Sequence, residues 1–124
     1  MLKVGLKYNS SVEVTDSHTA LNVGSGDMAV FATPAMATLM ENAAMLAVAE
    51  FLPDGATTVG TRLNISHVRA SAIGAKVVAE AELVAIEGRR LEFKVVANDD
   101  AGVIGEGEHT RFIVDKERFL SKLK

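Results

Sequence analysis

Phe31-Ala-Thr-Pro-Ala-Met-Ala-Thr-Leu-Met-Glu41-Asn-Ala-Ala-Met-Leu-Ala-Val-Ala-Glu50 is the stretch on which the reading of this chain turns. Apart from Glu41, Asn42 and Glu50 it holds small and apolar residues with two threonines, the composition of a helix buried on most sides. Thr33 reads as a good N-cap. Pro34 suits the first helical position, because it lacks an N–H that would be unpaired there anyway. Pro53-Asp54-Gly55 supplies a stop and a turn, so the pattern predicts a helix over about 34–50. A carboxylate inside it needs a reason. Burying an ionised carboxylate unpartnered costs several kcal/mol, so such a group raises its pKa, finds hydrogen bonds or lines a cavity that admits a substrate, and the last is the expectation for Glu41.

Outward from the helix the pattern changes to period two. Met1 to Val14 alternates weakly, with Leu2, Val4, Leu6 and Tyr8 on one parity, and predicts an irregular edge strand. Thr15 to Ala29 is rich in polar and turn residues and reads as a loop placed like a lid. After the helix, Thr57 to Val68 reads as a strand that Ser71-Ala-Ile-Gly74 interrupts. Ala75 to Ile86 resumes with Val77, Ala79, Ala81, Leu83 and Ala85 on one side. Turns at Glu87-Gly88-Arg89 and Asn98 to Gly102 connect it to Leu91–Ala97 and Val103–Val114, making a meander. Asp115 to Lys124 reads as a short amphipathic helix.

With 124 residues, 48% of them hydrophobic and 23% charged, residues 1–124 are expected to form one soluble domain. The chain has no cysteine, which removes disulfides, thiolate metal sites and a cysteine nucleophile. The first ten residues lack a signal-peptide core, and the apolar run after Val30 is broken by Pro34, Glu41 and Asn42, so neither export nor membrane spanning is expected and a cytoplasmic location fits. A net charge of −3 with scattered basic residues offers no patch for a nucleic-acid backbone. One apolar helix wrapped by an antiparallel sheet is α+β, the hotdog arrangement, and its exposed sheet edge could pair with a second subunit.

Three residues carry candidate chemistry. Thr33 stands where unpaired N–H groups and the helix dipole favour negative charge, with no acid in the first turn to neutralise it. Glu41 lies ~12 Å further along the axis and roughly 80° around it, so the two need not address one substrate atom. His67 shares strand parity with apolar Leu63 and Ile65, on the side where a cavity would open. Hydroxyl, carboxylate and imidazole are the set that hydrolysis of an activated acyl group needs. Each also has a plainer reading: a threonine before proline is usually a cap, and a lone histidine usually structural. A polar stripe shared by Glu41 and Glu50 is excluded by the ~180° between them. His18 and His109 read as loop or surface residues, and Gly24-Ser25-Gly26 is too short for a phosphate loop.

Val30-Phe-Ala-Thr-Pro-Ala-Met-Ala-Thr-Leu-Met-Glu41-Asn-Ala-Ala, Val59-Gly-Thr61, Ser66-His67, Glu87-Gly-Arg-Arg-Leu-Glu-Phe93 and Gly105-Glu-Gly-Glu-His-Thr-Arg111 together resemble the fluoroacetyl-CoA thioesterase-like group of hotdog proteins over nearly the whole chain. The resemblance implies a homodimer with active sites at the subunit interface, hydrolysing an acyl-CoA thioester without metal or organic cofactor. It also implies that Thr33, Glu41 and His67 match the family's catalytic threonine, glutamate and histidine. Backbone N–H groups, that of Gly60 among them, would receive the substrate carbonyl oxygen, with Arg111 a weaker candidate for binding the substrate or its CoA portion. Glu41 would attack the carbonyl or activate a water, and Thr33 would hold Glu41 or water in place. In the fluoroacetyl-specific member, aromatic residues before the helix gate the pocket. Gly24 and Asp27 stand at the matching positions here, so the hydrolytic residues are retained while substrate choice is expected to differ. A non-catalytic acyl-CoA binding or sensing module is the alternative. A hydratase is disfavoured, since no Asp and His pair stands near the helix start.

Overall fold

The computed structural model describes residues 1–123. Its strands are β1 (Lys7–Glu13), β2 (Ala56–His67), β3 (Lys76–Glu87), β4 (Arg90–Asp99) and β5 (Gly102–Asp115). The helices are α1 (Ala20–Val23), α2 (Thr33–Ala49) and α3 (Lys116–Ser121), with a 3-10 turn at Asp16–His18. All strand pairs are antiparallel in the order β1-β3-β4-β5-β2, so β1 and β2 are the edges and β3-β4-β5 form the expected meander. With α2 packed on one face, this is the hotdog fold.

The core lies between α2 and that face. Met36, Met40, Ala43, Ala44, Ala47 and Val48 are buried, a helical stripe that meets the alternating Val77, Ala79, Ala81 and Leu83 of β3 and Leu91, Phe93, Val95 and Ala97 of β4. Met36 is seated over Gly105 of β5, where a β-carbon would come within 2.6 Å of its sulfur. The helix leans on β3 and β1 much more than on β2 and β5, which leaves the helix-side face of the β2 edge open.

Four expectations are corrected. The first strand is confined to Lys7–Glu13, and Val4 and Tyr8 are exposed while Leu2, Leu6 and Val12 pack on the core. Ala85 is not the next core residue after Leu83: a bulge between them turns exposed Val84 outward, and Ile86 packs on the core instead. The lid segment is not all loop, since Thr19 caps α1 by accepting a hydrogen bond from Asn22 N, and Gly24 ends it in a left-handed conformation. The terminal helix spans Lys116–Ser121, with Asp115 accepting from Arg118 N as its cap, and Lys124 lies outside the described residues.

Candidate active site

A further correction lies at the start of α2 and bears on function. Ala32 is the N-cap and makes no side-chain bond, Thr33 is the first helical residue, and Pro34 follows it. The threonine hydroxyl is therefore not a cap. Thr33 Oγ1 instead lies 2.8 Å from Nδ1 of His67, the last residue of β2. No acidic residue stands in the first helical turn, so the positive end of the helix faces this pair without an internal counter-charge.

His67 sits edge-on to Phe31, with ring centroids 6.4 Å apart. Its Nε2 is buried and has no hydrogen-bond partner among the described residues. Burial pulls its pKa below the ordinary imidazole range, against a smaller opposing effect of the Arg69 backbone, so the ring is neutral near pH 7 and able to accept a proton. Thr33 and His67 line an open cavity of about 320 Å³ with Ala20, Ser25, Phe31 and Arg69. That volume suits a short acyl group and leaves a large carrier outside.

The segment following His67 is tied down from the same end of the sheet, two strands across. Asp99, at the end of β4, accepts from Ser71 Oγ at 2.8 Å and from Ala101 N at 2.9 Å, and pairs with Arg69. Those hydrogen bonds, Ser71's first, and the Arg69 charge hold the Asp99 carboxyl below its usual range. Ser71 in turn receives the Phe31 N–H on its carbonyl at 2.9 Å, which links this segment to the start of α2.

Glu41 belongs to a second group. Its half-buried side chain leaves α2 toward β2, where a β-carbon on Gly60 would lie 3.0 Å from Glu41 Oε2, 3.0 Å from His109 Cε1 and 3.3 Å from Arg111 Nη1. Gly60 and Arg111 are cross-strand partners of β2 and β5. Arg111 is buried: its Nε donates to Thr58 Oγ1 at 2.8 Å, its Nη2 to Thr58 O at 2.9 Å and its Nη1 to His109 Nε2 at 3.1 Å. Desolvation lowers the guanidinium pKa and the Glu41 charge opposes that, so a negative group beside Arg111 is favoured.

Of the residues singled out in the sequence, Thr33 meets His67, and Glu41 and Arg111 both come up to Gly60. The two groups lie apart within the chain. Thr33 and Glu41 are ~12 Å apart along the helix, and seven residues of β2, ~23 Å of strand, separate Gly60 from His67. Within one chain Thr33 therefore holds His67 rather than Glu41. A bulge between Gly60 and Arg62 lets residues at this odd spacing share the helix-bearing face. Thr58 and His109 were not found as site residues in the sequence, and His109 is fully buried rather than on the surface. Its alternation with Arg111 on β5 was the available signal.

The family model of the fluoroacetyl-CoA-specific thioesterase matches residues 14–117. The fluoroacetyl-CoA thioesterase of Streptantibioticus cattleyicolor is 40% identical over 95 residues, which cover 77% of this chain and 68% of that protein. The crystal structure of the fluoroacetyl-CoA thioesterase FlK superposes with a TM-score of 0.92 at 32% identity, covering 99% of this chain and 96% of the other. A Thermus thermophilus protein described as a thioesterase superfamily member follows at 0.90 and 25%, covering 98% and 90%. A match over this much of the chain is decisive: it belongs to the fluoroacetyl-CoA-specific thioesterase family.

Proposed function

We propose that the chain is a cytoplasmic homodimer or higher homo-oligomer that hydrolyses a small acyl-CoA thioester to the free acid and CoA, with each active site built across a subunit interface. Thr33 and His67 come from one protomer, and Glu41, Gly60 and Arg111 from its partner. The observation that carries this reading is the 2.8 Å contact between Thr33 and His67, in a thioesterase-family chain whose Glu41 rests against Gly60 on the open β2 flank. The carbonyl oxygen of the substrate takes the Gly60 N–H, and Arg111 steadies the charge that develops there.

Glu41 acts as nucleophile or as base on a water. As nucleophile it displaces the thiolate to give an acyl-enzyme anhydride that water then hydrolyses, and as base it takes a proton from the water that displaces the thiolate. In either case the C–S bond breaks, and His67 gives a proton to the leaving thiolate or takes one from the water. No step calls for a metal or organic cofactor. Exposed Gly24 and Asp27, the first of them fixed as the left-handed end of α1, leave the lid without bulky side chains at those two positions. This removes the aromatic gate at those positions and with it a means of selecting for fluorine.

The test is thiol release from short, branched and aryl acyl-CoAs by wild type and Glu41→Gln. Loss of turnover with the fold intact supports the assignment, retained turnover removes Glu41 from the chemistry, and binding without release from any substrate indicates a sensor. Mixing the inactive Glu41→Gln and His67→Ala proteins tests the shared site. Random exchange into dimers restores about a quarter of wild-type activity if the site spans two protomers, and none if it lies within one.

A further inference from the structure

His109 lies at the centre of the sheet, fully buried, and nothing assigned so far gives it a task. Its two ring nitrogens have partners that settle its state. Nδ1 is 2.8 Å from the Arg62 carbonyl, which only accepts, so Nδ1 carries the proton. Nε2 is 3.1 Å from Arg111 Nη1, which only donates, so Nε2 is a bare acceptor. Phe93 lies beside the ring, with centroids 6.3 Å apart and the planes tilted by 33°. This is a neutral imidazole in a single tautomer.

Arg111 has five N–H groups, of which Thr58 takes two and His109 one, leaving one on Nη1 and one on Nη2. Thr58 holds the Nε and Nη2 edge of the guanidinium, and His109 alone holds Nη1. It is Nη1 that approaches the position of a Gly60 β-carbon, beside Glu41 Oε2. Thr58 fixes one edge of the planar guanidinium, and His109 fixes its rotation about that edge and so the direction of the remaining Nη1 donor.

We infer that His109 is a positioning residue: as the fixed Nδ1–H tautomer it accepts a hydrogen bond from Arg111 Nη1 and thereby aims the guanidinium at the place where Glu41 meets the Gly60 backbone. The inference rests on the proposed roles of Glu41 and Arg111. Buried donors and acceptors held by packing work without reorganisation, which is the condition for stabilising charge as it forms. His109 touches no reacting atom.

Two amide side chains separate this task from a structural one. In His109→Asn the amide N–H overlays Nδ1 and keeps the bond to Arg62, but the acceptor for Arg111 is lost. In His109→Gln the amide oxygen overlays Nε2 and keeps the acceptor, but the bond to Arg62 is lost. The experiment measures kcat and KM for acetyl-CoA hydrolysis, together with the thermal midpoint, for both variants, Arg111→Lys, His109→Asn/Arg111→Lys and Glu41→Gln. Gln is expected to be the less stable variant yet to keep kcat within about 3-fold, while Asn is the more stable yet loses about 30-fold, mainly in kcat. The Asn effect vanishes in the Arg111→Lys background. Activity that follows stability, with Asn better than Gln, overturns the inference, as does an Asn effect that persists without Arg111. Loss in Glu41→Gln combined with normal rates in both His109 variants overturns it while sparing the thioesterase site. Retained turnover in Glu41→Gln overturns the site instead. Nitrogen NMR of the wild-type histidines supplies a readout independent of folding in the variants: an Nε2–H tautomer or an imidazolium at His109 near pH 7 also sinks the inference.

Discussion

A β-carbon on Gly60 would lie 3.0 Å from Oε2 of Glu41, so the carboxylate rests against the bare backbone of β2. The position is not a left-handed one, and the demand for glycine is purely one of space. Glu41, His109 and Arg111 converge there from α2 and β5, and a methyl group would have to displace all three by a few tenths of an ångström.

Gly60→Ala is therefore expected to fold with a near-normal thermal midpoint and to lose about 10-fold in kcat/KM, because displacements smaller than an ångström already cost rate at a positioned site. Steady-state thiol release on acetyl-CoA checks it. Unchanged kinetics would mean that the three side chains do not converge on substrate.

Thr33→Val and Thr33→Ser separate two jobs for one hydroxyl. Were Thr33 the cap, Val would cost about 1 kcal/mol of stability. Since Ala32 occupies the cap and Thr33 engages His67, Val should melt like wild type while kcat falls about 10- to 100-fold, with Ser close to normal. Paired melting and rate measurements decide it, and a large fall in melting temperature with a small fall in rate would restore the capping role.

Stability should fall as pH drops from 7 to 5. Desolvation lowers the folded pKa of His67 and His109; for His109, Arg111 adds to this, while the Arg62 backbone, Glu41 and Glu92 oppose it. A lowered folded pKa means that the unfolded chain binds the proton more readily. The contribution is thus present above the unfolded value of ~6.5 and is lost as pH falls through that value toward the folded ones. Denaturant titrations at several pH values check the sign, and a stability that is flat or rises toward pH 5 would contradict it. His109→Gln should flatten the slope.

Asp99→Ala should destabilise by about 2 kcal/mol, because it leaves the buried Ser71 hydroxyl without its partner. It also removes the partner of Arg69, whose Nε is already buried and unbonded among the described residues. Residues 69–71 follow His67 and hold Phe31 N, so kcat/KM should fall as well. Asp99→Asn, which keeps one acceptor, should lie between. Rates at wild-type level in a destabilised Asp99→Ala would show that the latch does not reach the site.

Much of the fold was legible because burial imposes its period on the chain. The alternation of Leu91, Phe93, Val95 and Ala97, the apolar stripe of α2 and the turns at Gly88 and Gly102 each followed from local pattern. Bulges were not legible. The extra residues near Val84 and Thr61 reverse which parity faces the helix, and nothing in a period-two pattern announces where that happens. His109, read as a loop or surface residue, stands among polar Glu106, Glu108 and Thr110, and no local pattern tells that its strand β5 lies between β4 and β2.

By itself, then, the sequence determined the elements, their hydrophobic faces and an unusual carboxylate in an apolar helix, because local propensity and burial period are properties of neighbouring residues. Only the tertiary structure decided that Thr33 serves His67 rather than capping α2, that Glu41 lies against Gly60 and that His109 holds Arg111. Those contacts join residues 19 or more positions apart, or depend on how β5 is turned, and they are settled by strand register, bulges and the space that one missing side chain leaves.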